Sequence, residues 1–114
     1  MDKVKPIILK YEDGRNYTLE FSRASVVFAE QRGFNIGDIG TRPMTAIPEL
    51  FWYAFRMHHP SITKQQSDKI LFDDLGGLTE EVLERLGELY DAPFGTLIDT
   101  SEGDEKNATA KMLL

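Results

Sequence analysis

The sequence contains no cysteine, which excludes a disulfide framework and any thiolate-bound metal and fits a reducing cytoplasm. It also lacks a long apolar run: nothing approaches the roughly 20 consecutive apolar residues that a membrane-crossing helix needs. The opening MDKVKPIILKYEDG has no small-residue cleavage site after its short apolar stretch, so the chain is expected to be soluble and unprocessed. Basic residues are scarce in one region above all. Residues 1–72 carry ten basic and eight acidic groups, whereas residues 73–105 carry eleven acidic groups against Arg85 alone. Such a pole repels phosphate, and no Lys/Arg stripe stands elsewhere, so nucleic acid is disfavoured and a basic protein partner fits better. The plainer reading of the same charges is a solvated helix face followed by a polar tail.

Motifs that carry chemistry are missing as well. The two histidines, His58 and His59, are adjacent; on a helix they point about 100° apart and cannot share a metal as an i, i+4 pair would. They read as a helix end, where a protonated imidazole meets the C-terminal dipole favourably. Asp68, Asp73 and Asp74 lack the glycine-interrupted oxygen spacing of a calcium loop, and no nucleophile stands beside them. Gly33, Gly37 and Gly40 match a phosphate-binding loop only by number, since no Lys-Ser or Lys-Thr follows. Ser22 and Ser25 have no GxSxG elbow around them. No catalytic residue, cofactor or metal site is therefore expected, and the chain reads as a non-enzyme.

What the chain does have is aromatic mass. In IPELFWYAFRMHHP, residues 47–60, Phe51, Trp52, Tyr53 and Phe55 fall within five positions. Pro48 stands at a suitable first helical position and Pro60 at a stop, so the spacing predicts a helix over 48–59, apolar most of the way round. Upstream, VKPIILKY (4–11) and YTLEF (17–21) alternate apolar and polar residues around Asp13-Gly14, the signature of an antiparallel hairpin. Ile7, Leu9 and Tyr11 should share a face with Tyr17, Leu19 and Phe21. Ser22 can cap a helix over RASVVFAEQR with Val26, Phe28 and Ala29 toward the core and Gly33 ending it. Residues 33–46, rich in glycine, are expected to form a loop or arm. Thr63 with Gln66 makes a capping box for a helix stopped by Gly76-Gly77, and Thr79 caps a last helix with Val82, Leu86, Leu89 and Tyr90 as its buried stripe. Pro93 ends it, and Phe94, Leu97 and Ile98 are expected to fold back onto the core. The reading is one α+β domain over residues 1–98, a hairpin packed against about four helices, followed by a flexible polar tail over 99–114.

The hairpin ending in YTLEFSR, then VVFAEQRGF, IPELFWYAFRMHHP, KILFDDLGGL and LERLGELYDAPF together resemble a family of tail assembly chaperones from long-tailed phages and prophages of Gram-positive bacteria. The resemblance covers residues 4–98. It implies a non-enzymatic factor of the host bacterial cytoplasm that coats the hydrophobic helical tape measure protein while tail tube subunits polymerise around it, and that can exist in two lengths through ribosomal frameshifting. Its implied partners are the tape measure protein and the tail tube protein; self-association as a homo-oligomer is a further expectation, while the acidic pole and the lack of a long apolar run argue for no nucleic acid and no membrane. A small structural protein of the particle, a head-tail connector or tail-completion component, is the alternative. For the client surface, the expected residues are Phe34, Ile36, Phe51 and Met57, which would receive an apolar helix presenting anchors at i, i+3, i+4 and i+7.

Overall fold

A computed structural model describes residues 3–98 together with Ala108, Ala110 and Met112. The expected flexible tail over 99–114 thus lies outside the described residues except at those three positions, which are exposed. The fold is α+β. Strand β1 (Ile7–Lys10) pairs antiparallel with β2 (Asn16–Leu19), with Ile7 opposite Leu19 and Leu9 opposite Tyr17, the register that the alternation dictates. Gly14, at φ 95°, supplies the left-handed turn residue that closes the hairpin. Leu9 and Leu19 point into the core.

A two-stranded sheet needs support, and here it is given along the β2 edge. Two outward-facing amides at and just beyond β2 do not face water: Thr18 N–H donates to Nε2 of His59 at 2.9 Å, and Glu20 N–H donates to the Ala54 carbonyl at 3.0 Å. The hairpin is thereby stitched to the segment that follows the aromatic helix.

Helix α1 (Arg23–Gln31) begins at Ser22, whose hydroxyl accepts from the Ser25 amide while Ser25 answers with its own side chain. It ends at Gly33, φ 88°. The residues that α1 buries completely are small, Ser25 and Ala29, one turn apart. Val26 and Phe28, expected to be core, are only half-buried, and Val27 is exposed. Small residues let the helix backbone approach closely, so the bulkier side chains flank the contact instead of filling it.

The segment expected to be a loop is more ordered than its glycines suggested. A short helix α2 spans Asp38–Thr41, and α3 runs from Pro43 to Tyr53. Pro43, not Pro48, takes the first helical position; Pro48 lies inside α3, buried, and the carbonyl it leaves without an amide donor belongs to Met44 in the exposed first turn. The helix also stops short of residue 59. Turns carry the chain from Ala54 to His59, with Phe55 still fully buried and Ala54 beside it.

Thr63 and Gln66 form the expected capping box on α4 (Lys64–Lys69), which widens into a π-helical turn over Ile70–Asp74, the Leu75 amide reaching back five residues to Ile70. Gly76 and Gly77 have positive φ, and the Gly77 amide returns to the Leu71 carbonyl. Thr79 caps α5 (Glu80–Asp91), with Glu80 and Glu81 in its first turn and Leu86, Leu89 and Tyr90 buried. A 3-10 segment, Ala92–Thr96, follows. One apolar cluster joins hairpin and helices. Among the described residues no helix is long and apolar enough to cross a membrane.

Candidate partner-binding groove

The core is built from edge-to-face aromatic pairs, and these decide which side chains remain for a partner. Phe51 packs on Phe55 at 5.2 Å between ring centroids, and Phe55 on Tyr17 at 5.6 Å. Phe34 sits between Tyr53 (5.4 Å) and Tyr90 (5.5 Å). Accordingly Phe51 is 0% and Phe34 6% exposed. This corrects two of the four residues expected on a client surface: both rings are committed inside the domain. The other two, Ile36 at 39% and Met57 at 43%, are exposed, but they stand on different surfaces flanking α1.

Ile36 borders a groove of about 330 Å³ whose other apolar walls are Val26 and Val27 of α1 and Pro93, Phe94 and Leu97. Tyr90, Arg23, Glu30 and Asp91 complete it. Phe94 is 58% and Leu97 65% exposed, so the expectation that they and Ile98 fold back onto the core is also corrected. Pro93 is buried and holds the 3-10 turn to the domain, while Phe94 and Leu97 after it line the groove beside Val26 and Val27 of α1 instead of entering the core. Val27 reaches both surfaces. Met57 lines the second, a wider and more open depression with Val27, Phe28, Pro60, Arg56, Arg23 and Gln31, where the Arg56 guanidinium lies 3.9 Å from the Phe28 ring centroid. An occupied ring face and a polar rim make that depression a poorer apolar receptor than the groove.

Several polar groups are engaged in holding the fold. His59 was expected to be a protonated helix end; instead its Nε2 accepts the Thr18 amide, which requires an unprotonated Nε2, and burial followed by the neighbouring His58 lowers its pKa. His58 Nε2 lies 2.8 Å from Glu20 Oε1. The Tyr11 hydroxyl donates to Asp74 Oδ2; burial, reinforced by that carboxylate, pushes the phenol up to about 12, while the same hydrogen bond holds Asp74 below the usual carboxylate range. Trp52 Nε1 donates to the Ile62 carbonyl at 2.9 Å. Among the described residues no group of three or more His, Asp or Glu side chains is placed to hold a metal ion.

A family model, described as a domain of unknown function, matches residues 2–114. The chain belongs to the DUF5055 family. Comparisons with curated proteins and with solved structures give no match. Within this DUF5055 chain, Phe94, Leu97 and Val27 are the groove residues that sequence reasoning missed. Two signals were present: the apolar triplet Val26-Val27-Phe28, too wide for one helix face, and Phe94 and Leu97 three apart, directly after a helix-ending proline.

Proposed function

We propose that this chain is a non-enzymatic assembly factor of the tail assembly chaperone kind, acting in a bacterial host's cytoplasm on the apolar helices of a phage tape measure protein as tail tube subunits assemble. Two things support the reading. The resemblance runs along residues 4–98, and the chain offers an open apolar groove where such a client could lie. The groove is the observation that carries it. Val26, Val27, Ile36, Phe94 and Leu97 form a wall of exposed or half-exposed apolar side chains on a domain whose other large aromatics are mostly consumed by the core. An amphipathic helix laid in such a groove inserts anchors one turn apart and hides the wall from water.

The test is co-expression with fragments of a tape measure protein followed by pull-down. The unmodified chain is expected to retain apolar helical fragments, and Ile36→Asp together with Phe94→Asp to lose them while keeping the thermal transition. If the unmodified chain retains no fragment of any length, the chaperone reading fails.

A further inference from the structure

Charge of one sign borders this groove on one side, and we infer that its occupant is an amphipathic helix with a basic polar face. The inference rests on the reading of the groove as a docking site and adds the chemistry of what docks. Glu81, Glu84, Glu88 and Asp91 follow one another on α5 at spacings of three, four and three residues, which sets them on a single stripe of the helix. All four are exposed, and the last of them, Asp91, lies in the groove wall. Glu30 joins the same rim from α1.

The C-terminal half of the stripe is placed against the helix that carries it. Glu88 and Asp91 occupy the last turn of α5, where free carbonyls already gather negative charge and a cation would be favoured; α5 has no basic residue there. Glu84 and Glu88, at i and i+4, repel each other as well. No ion pair among the described residues involves Glu30 or any of the four. Arg85, the basic residue of α5, stands one turn from Glu81 and Glu88 but forms no ion pair with either, and its Nη1 donates instead to the Lys5 carbonyl at 3.5 Å. An acidic stripe whose C-terminal half costs its own helix stability, and whose last residue lines an apolar groove, is complementary to Lys or Arg on the flank of a docked helix.

The dimensions agree. The stripe extends about 15 Å along α5 at 1.5 Å per residue, so a client helix of about four turns can seat its anchors in the groove and lay its basic side on the stripe. Arg23 stands at the opposite end of the groove from Glu30, seven residues or about 10 Å along α1. Along α1 the two ends therefore differ in sign, and the client's basic residues belong near Glu30 and Asp91, away from Arg23.

Two labelled synthetic helices of about 18 residues, identical in their leucine face but carrying either Lys or Glu on the polar face, test this by fluorescence anisotropy. The Lys peptide should bind at least about tenfold tighter than the Glu peptide and weaken as salt is raised from about 0.05 to about 0.5 M. In the full chain, Glu88→Lys with Asp91→Lys should invert that preference, and Phe94→Asp should abolish binding of the Lys peptide. Equal affinity for the two peptides, or a preference that the charge reversal leaves unmoved, overturns the inference and returns the stripe to a solvated helix face; so does failure of the Lys peptide to bind. Capture of tape measure fragments by a chain indifferent to peptide charge would sink this inference alone, whereas tight binding of the Lys peptide without capture would sink the chaperone reading alone.

Discussion

His59 does at the residue scale what a longer sheet would otherwise do. A hairpin of two four-residue strands is marginal by itself, and the imidazole takes up an amide of β2 that would otherwise lie unsatisfied at a partly buried edge. Because Nε2 must stay unprotonated to accept, the folded chain binds that proton more weakly than the unfolded chain does. The folded-state pKa is depressed, so the contribution of His59 to stability is complete above its unfolded value of about 6.5 and is lost as pH falls through and below it. His59→Gln retains an acceptor but cannot titrate. Urea midpoints measured from pH about 7.5 to about 5 should fall more steeply in the unmodified protein than in His59→Gln. Parallel curves would show that the imidazole is not the titrating contact.

At the scale of elements, what could be read in the sequence was what is local. Asp13-Gly14, the Ser22, Thr63 and Thr79 caps, and the stops at Gly33 and Gly76-Gly77 are each set by a few neighbouring residues, and each was legible. The errors arose where neighbours leave a choice open. Pro43 and Pro48 can both open a helix, and α3 starts at the first, with Ala46 and Pro48 both buried inside it on different sides. Phe34 and Phe51 looked available because aromatics suit partner surfaces as well as cores; their tertiary partners Tyr53, Tyr90 and Phe55 are not encoded in local spacing. Phe94 and Leu97 are the opposite case: an apolar pair after a helix ordinarily returns to the core, and these two do not. Their exposure makes a direct prediction. Phe94→Ser and Leu97→Ser should each change the free energy of unfolding by no more than about 0.5 kcal/mol, against about 2 to 5 kcal/mol for Leu86→Ala in the core. A core-sized loss at either position, read from denaturant curves, would mean that the 3-10 segment is structural rather than a groove wall.

For the molecule as a whole, packing and charge separate into two regions with different duties. The hairpin, α3 and the inner face of α5 form one aromatic core, while α1, Ile36 and the 3-10 segment leave apolar surface beside the acidic flank of α5. A domain with this division can keep its fold while its surface meets a client, as the proposed assembly role would require. The central claim is that this groove receives the client, and a 1H–15N NMR titration of the labelled protein with an apolar helical fragment of a tape measure protein tests it most directly. Shifts should concentrate on Val26, Val27, Glu30, Ile36, Phe94 and Leu97, and leave the amides of Phe51 and Phe55 in place. An unperturbed spectrum at saturating fragment, or shifts gathered around Met57 and Arg56 instead, would contradict the account.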